Sequence, residues 1–506
     1  MSSPKQFERI EFHFAPNPGS RRAPRDPESP FALAVLGDFS GRSNRKLTEP
    51  IGSRRPRLVD CDNFDEAFAS LGVKLSLPHP HASSEMLELR FNRLEDFHPD
   101  ALLRQVASWA QAGGWRQRLL DPATSRAAAS EPPPLVGGPM AAPTGPQPGG
   151  ESDQDTLERL LGGEPPPAHP PEPSPSRPDI NQLLRSIVSS SVVPSPTPRQ
   201  TASVGALDLE LAAQLRSVLH HPHFQALESA WRSLDRLVRN LEATDTLKIF
   251  LVDVSKDELA ADLRSQENLG ATGFSHFALP PAGQTPWALW VGNYEFARSL
   301  EDIDLLARLA KLAAAAGAPF VAAGNPAWVG CDSFGIHPDP DDWTRAASPE
   351  LEQAWESVRR LPEAASVGLV LPRVLLRPPY GAKSEPIESF PFEELPDPRA
   401  HEDYLWGNPA FLCAHLFAET FLANGWDLES PGCGEIDGLP VFSFKEEGET
   451  QVKPCAEAWL SDRAADRILA RGLAPLVSIK GRDAARLVSL QSVAQPAALL
   501  RIRNGG

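Results

Sequence analysis

Three imidazoles stand together at His220-His221-Pro222-His223, and a metal centre is the first chemistry they suggest. The spacing argues against it. Neighbouring helical residues point in different directions, Pro222 disturbs the geometry further, and no second ligand cluster accompanies them. A satisfied or helix-end role fits these histidines better. Gly37-Asp38-Phe39-Ser40-Gly41 resembles a nucleophile turn, but Ser40 directly precedes Gly41, so the G-x-S-x-G spacing is absent. A strand-exit turn is the reading. No phosphate-binding glycine pattern follows a predicted strand. Asp60, Asp62, Asp65 and Glu66 crowd together without the glycine and closing glutamate of a calcium loop. Glu301, Asp302 and Asp304 sit near a predicted helix start, where carboxylates favour the dipole. Cys61, Cys331, Cys413, Cys433 and Cys455 are odd in number, scattered and free of any CxxC pair, which suggests neither zinc nor a disulfide framework. No catalytic residue, cofactor site or metal site is expected, and the chain is expected not to be an enzyme.

The bulk properties narrow the field further. At roughly 100–200 residues per domain, 506 residues make about two to four domains. Apolar residues are 41% of the chain, enough for a substantial core. The 53 prolines point to a large non-globular stretch. A formal charge of −17 disfavours nonspecific binding to nucleic acid or to anionic membrane. The N-terminus lacks an apolar signal core, and no run approaches about 18 apolar residues, so no membrane insertion is expected. A cytoplasmic protein is the expectation.

The elements that must position these residues read as α/β. Residues 7–14 suggest an early strand, with Ile10, Phe12 and Phe14 alternating on one face. FALAVL (31–36) reads as a buried strand and MLELRF (86–91) as a half-buried one; 100–120 has helical spacing. Residues 131–178 hold 15 prolines and read as a linker. Two short amphipathic islands, 155–161 and 179–188, are candidate docking peptides. Beyond them a long helical stripe from Leu211 to Leu241 is interrupted at Pro222. Strands at 247–252, 287–291, 319–322 and 366–371 alternate with helices at 300–316 and 409–424; 435–490 holds shorter elements and turns. The expected domains are 1–120, a linker over 121–204, and 205–506. Trp231, Trp287, Trp290, Tyr294, Phe296, Tyr380, Tyr404, Trp406 and Trp426 read as core, with an assembly surface as the alternative.

The motifs carry a resemblance. FALAVLGDFSG (31–41), RLVDCDNF (57–64) and LEDFHPD (94–100) are similar to the small subunit of type VI secretion contractile sheaths, in order and spacing. VLHHPHFQALESAWR (218–232) resembles the large subunit's most recognisable stretch. It continues through VSKDEL (254–259), GNYEF (292–296), APFV (318–321), RPPYG (377–381), YLWGN (404–408), NGW (424–426) and GLP (438–440).

The resemblance implies two sheath-type α/β units, small-subunit-like and large-subunit-like, packed together and joined by a disordered Pro-rich linker. It implies a structural component of a phage-tail-like contractile sheath, driving a tube by contraction rather than catalysis. The alternative is a non-polymerising adaptor, cap or regulator. The implied partners are sheath subunits, the inner tube protein, the baseplate and an AAA+ unfoldase. By position, Ile180, Leu183, Leu184, Ile187 and Val188 resemble the helix that the unfoldase recognises. Ile10, Phe12 and Phe14 would belong to a donated strand. Trp231, Tyr294, Phe296, Arg377, Tyr380, Tyr404 and Trp406 are the expected contacts between halves or subunits. Two departures stand out: the family's two chains are here one, and the region after Gln495-Pro496 is shorter than in large subunits, with the strand-receiving part expected to be missing. Asn293 stands where the family more often has Asp.

Overall fold

The computed structural model describes residues 28–80, 82–131, 197–241, 245–281, 283–428 and 434–502. The strand expected at 7–14 (Ile10, Phe12, Phe14) and both linker islands, including Ile180, Leu183, Leu184, Ile187 and Val188, lie outside the described residues. The described strands are β1 (Phe31–Gly37), β2 (Arg57–Val59), β3 (Val73–His79), β4 (Ala82–Phe91), β5 (Leu247–Asp253), β6 (Trp287–Phe296), β7 (Phe320–Gly324), β8 (Val367–Leu371), β9 (Val374–Leu375), β10 (Trp406–Gly407), β11 (Gly434–Ile436), β12 (Phe442–Glu446), β13 (Glu449–Lys453), β14 (Ala474–Ser478) and β15 (Ala485–Leu487). The chain forms two compact units. One joins residues up to Val106 with those from Ala212 onward; the other is Ala107–Leu211.

The first unit is built on a nine-stranded sheet of order β11-β15-β14-β8-β7-β6-β1-β5-β2. β1 has no polar side chain and is buried along its whole length. Such a strand requires neighbours on both edges and cover on both faces, the condition of an interior parallel strand. It pairs in parallel with β5 on one edge and β6 on the other. β6, β7, β8 and β14 continue in parallel; β2, β15 and β11 run antiparallel towards the two ends. The sheet is thus mixed, and it interleaves the two halves of the sequence: β1 and β2 come from the N-terminal segment, the remaining seven strands from the C-terminal segment. Smaller antiparallel pairs, β3–β4, β9–β10 and β12–β13, complete the strands. An α/β protein was legible in the alternation of strands and helices; the interleaving was not.

The helices follow from local signals. In the helix Leu300–Ala316, Ser299 caps the start by accepting from the Asp302 N–H, and Gly317, at φ +57°, ends it. Asp302 faces that start as the dipole favours. The helix Pro222–Asn240 begins with Pro at its first turn and buries Phe224, Leu227, Trp231, Leu234 and Leu237 along one stripe. Each such large apolar side chain contributes about 1.5–3 kcal/mol on burial. The single helix expected over 100–120 is two, Pro99–Gln105 and Ala107–Leu120, because Val106 takes an extended conformation (ψ 114°).

In the second unit, Trp109, Ala112, Trp115 and Leu119 are the buried face of Ala107–Leu120. Arg116 Nε donates to Asp208 Oδ1 at 2.6 Å, tying that helix to Pro198–Leu219.

Candidate functional site

Within the first unit, the N-terminal segment meets the C-terminal segment over an aromatic and ionic interface. Trp231 is its apolar centre. The indole is fully buried, and its Nε1–H donates to the carbonyl of Phe39 at 2.8 Å. Its ring lies 3.9 Å from that of Phe68 and meets Phe39 and Phe64 edge-on at 5.3 and 5.7 Å. Phe91 and Phe97 stack at 4.2 Å and meet Phe224 at 6.0 and 5.5 Å. Both Phe224 and Trp231 project from the helix Pro222–Asn240, while their partners all precede Val106. Aromatic pairs of this kind add about 0.5–1.5 kcal/mol beyond the area they bury.

Charge is arranged with equal economy. Glu258 closes a capping box with Ser255: the Ser255 hydroxyl accepts from the Glu258 N–H, and the Glu258 carboxylate accepts from the Ser255 N–H. The same carboxylate then receives Arg42 at 3.1 Å and Arg54, both from the N-terminal segment. Burial alone would raise the Glu258 pKa. The hydrogen bonds from Arg54, Arg42 and the Ser255 N–H outweigh it and bring the carboxyl down to about 2.

A second cluster is deeper. Glu228 accepts from Arg377 Nε at 2.9 Å and Arg232 Nε at 2.7 Å, and Arg377 Nη1 donates to Glu394 at 2.7 Å. Burial pushes Glu228 up, but Arg377 and Arg232 pull it below the ordinary carboxylate value. Two carboxylates and two guanidinium groups balance, which is what makes their burial tolerable. Arg377 also lies over the Tyr380 ring at 4.1 Å, and that ring meets His98 of the N-terminal segment at 5.0 Å. The cluster itself lies within the C-terminal segment; only the Tyr380 ring carries it to the N-terminal one.

Of the seven expected contact residues, all are buried. Trp231 and Tyr380 touch the N-terminal segment. Among the described residues, the hydrogen bonds and ring contacts found for Tyr294, Phe296, Arg377, Tyr404 and Trp406 lie within the C-terminal segment: the Tyr294 hydroxyl donates to the Val254 carbonyl, Tyr404 to that of Pro398, and the Trp406 indole to that of His401. His221 caps the helix Pro222–Asn240 by accepting from the His223 N–H, while His220 turns away toward Asp403 at 3.5 Å. Among the described residues, no group of three or more His, Cys, Asp or Glu side chains is placed to hold a metal. A cavity of about 230 Å³ opens where β1 and β6 end, lined by Asp38, Ser43, His223, Asn293 and Glu295 among others. The Arg42–Glu258–Arg54 cluster was not foreseen. Its one local sign was the Ser255-x-x-Glu258 capping pattern; nothing in the spacing links residues 216 positions apart.

Residues 201–494 match the family model of VipB, described as EvpB/VC_A0108, tail sheath N-terminal domain. The chain belongs to this tail-sheath family. Residues 3–125 match a second model, type VI secretion system VipA, VC_A0107 or Hcp2. Two sheath-associated families therefore meet in one chain, and the boundary between their matches falls in the proline-rich stretch. The chain is also similar to the type VI secretion system sheath protein TssC1 of Pseudomonas aeruginosa, at 36% identity over 306 residues. That similarity covers 58% of this chain and 61% of the relative.

Proposed function

We propose that this protein is a building block of a type VI secretion contractile sheath, with small-subunit-like and large-subunit-like parts supplied by one polypeptide. The observation that carries the reading is the pair of sheath-family matches, 3–125 and 201–494, in a single chain. The interleaved sheet supports it physically. A sheath subunit transmits load, and β1 is hydrogen-bonded along both edges, so a pull along the strand loads two ladders in shear at once.

The work is mechanical on this reading, with no catalysed reaction. Its partners are other sheath subunits, the inner tube protein and the baseplate, with residues 179–188 offered to an AAA+ unfoldase and residues 5–14 donated as a strand to a neighbouring unit. Its place is the cytoplasm; no helix among the described residues is long and apolar enough to cross a membrane. The test is deletion of the gene in its own bacterium, with export of the tube protein as the readout. Export should stop and return with the wild-type gene. Undiminished export after deletion, with no second sheath gene pair present, contradicts the reading.

A further inference from the structure

β1 raises a problem of register. Its apolar faces give little penalty for slipping along β5 and β6, because every residue of FALAVLG is acceptable on either side of the sheet. Something outside the strand must fix where it stops. At its exit, Asp253, the last residue of β5, takes the Phe39 N–H at 2.9 Å and the Ser40 N–H at 3.1 Å on Oδ1, and the Ser40 hydroxyl at 2.8 Å on Oδ2. Arg42 stands 3.5 Å away. Ser40 is 2% exposed.

The same device occurs a second time with the segments exchanged. Asp100, in the N-terminal segment, takes the Glu388 N–H at 2.9 Å on Oδ2. Its Oδ1 takes the Ser389 N–H at 3.1 Å and the Ser389 hydroxyl at 2.5 Å. His98 Nδ1 lies 3.6 Å from the same carboxylate. Each segment thus supplies one aspartate, Asp100 buried and Asp253 part-buried, and one Xaa-Ser dipeptide, and each aspartate receives two consecutive N–H groups plus a hydroxyl from the other segment.

We infer that these reciprocal aspartate–serine latches are the recognition code by which the C-terminal segment selects the N-terminal segment and sets the register of β1. Three converging donors demand a group that only accepts. A carboxylate does so: at Asp100 an amide would turn an NH₂ against an N–H, whereas at Asp253 an amide oxygen keeps both N–H groups with its NH₂ facing the Ser40 hydroxyl, and what is lost is the charge assistance. Apolar burial supplies the adhesion; the latches supply the address. The inference is independent of the sheath reading, since it concerns how two parts of this chain find each other.

The test uses the full chain with a specific protease site placed between residues 140 and 150, cleaved after folding. Asp253→Asn and Asp100→Asn are compared with wild type, singly and together. Loss of charge-assisted bonds should raise the dissociation constant of the cleaved fragments about tenfold per latch and, for sites sharing no partner, about a hundredfold for both. Amide hydrogen exchange in β1 should quicken while β7 and β8 keep wild-type protection. Fragment affinity within about twofold of wild type, or equal loosening of β7 and β8 with β1, overturns the inference. Should the Asn variants fail to fold, Ser40→Ala and Ser389→Ala each remove one donor of three, and are read the same way with about a threefold effect.

Discussion

Trp231 shows how much one residue can hold. It projects from a helix of the C-terminal segment, yet its ring contacts and its indole hydrogen bond go to Phe39, Phe64 and Phe68 of the N-terminal segment. Trp231→Ala should cost about 3–5 kcal/mol in urea unfolding, the range for a fully buried aromatic. Arg377 is held by charge. Arg377→Met would leave Glu228 and Glu394 without their shared guanidinium group in a buried site, and should cost about 3–5 kcal/mol by the same measurement. Glu258 provides the pH dependence. Its folded pKa is depressed from 4.5 to about 2, so its contribution is fully present above 4.5 and is lost as pH falls towards 2. Wild type should lose stability across that window, and Glu258→Gln, already weaker at neutral pH, should lose less. Parallel curves for the two proteins would show that the Arg42 and Arg54 pairs do not matter to the fold.

Elements were legible wherever the signal was local. FALAVL announced β1, and the Ser and Gly that bracket residues 300–316 fit the observed helix there. Pro222 divided the long stripe as expected. What was hidden depended on distant partners. β1 lies between two strands more than 200 residues further on, and no periodicity records that. β6 runs to Phe296, five residues beyond its apolar core WALWV, because its register with β7 shifts between Gly292 and Glu295 and pairing then resumes. The break at Val106 was masked by helical spacing that continues across it. The loop after β1 gives a test at this scale. Gly41 sits at φ +78°, and a Cβ there would come 2.2 Å from the Lys74 carbonyl oxygen. Gly41→Ala should therefore cost at least about 1–3 kcal/mol, the usual strain of a non-glycine residue in the left-handed region, read as a lower denaturation midpoint.

At the scale of the molecule, one sheet assembled from two sheath-family sequences makes the two parts of the first unit a single compact body. Fusion fixes their ratio at one to one and raises their effective concentration for each other. The site was half legible: Trp231, Tyr380 and Asp100 stood in motifs that carry the resemblance, while Arg42, Arg54 and Asp253 stood in none of them. The same interleaving bears on assembly, for a force applied to either segment is carried into the middle of the sheet. The most direct test of a sheath role is cryo-electron microscopy of sheaths pelleted from the native bacterium carrying an affinity-tagged copy of this chain. Density for the nine-stranded sheet, with β1 between β5 and β6, is expected at regular lattice positions, with the tagged chain a major component of the pellet. Sheaths of normal length and order from which the chain is absent would contradict that role.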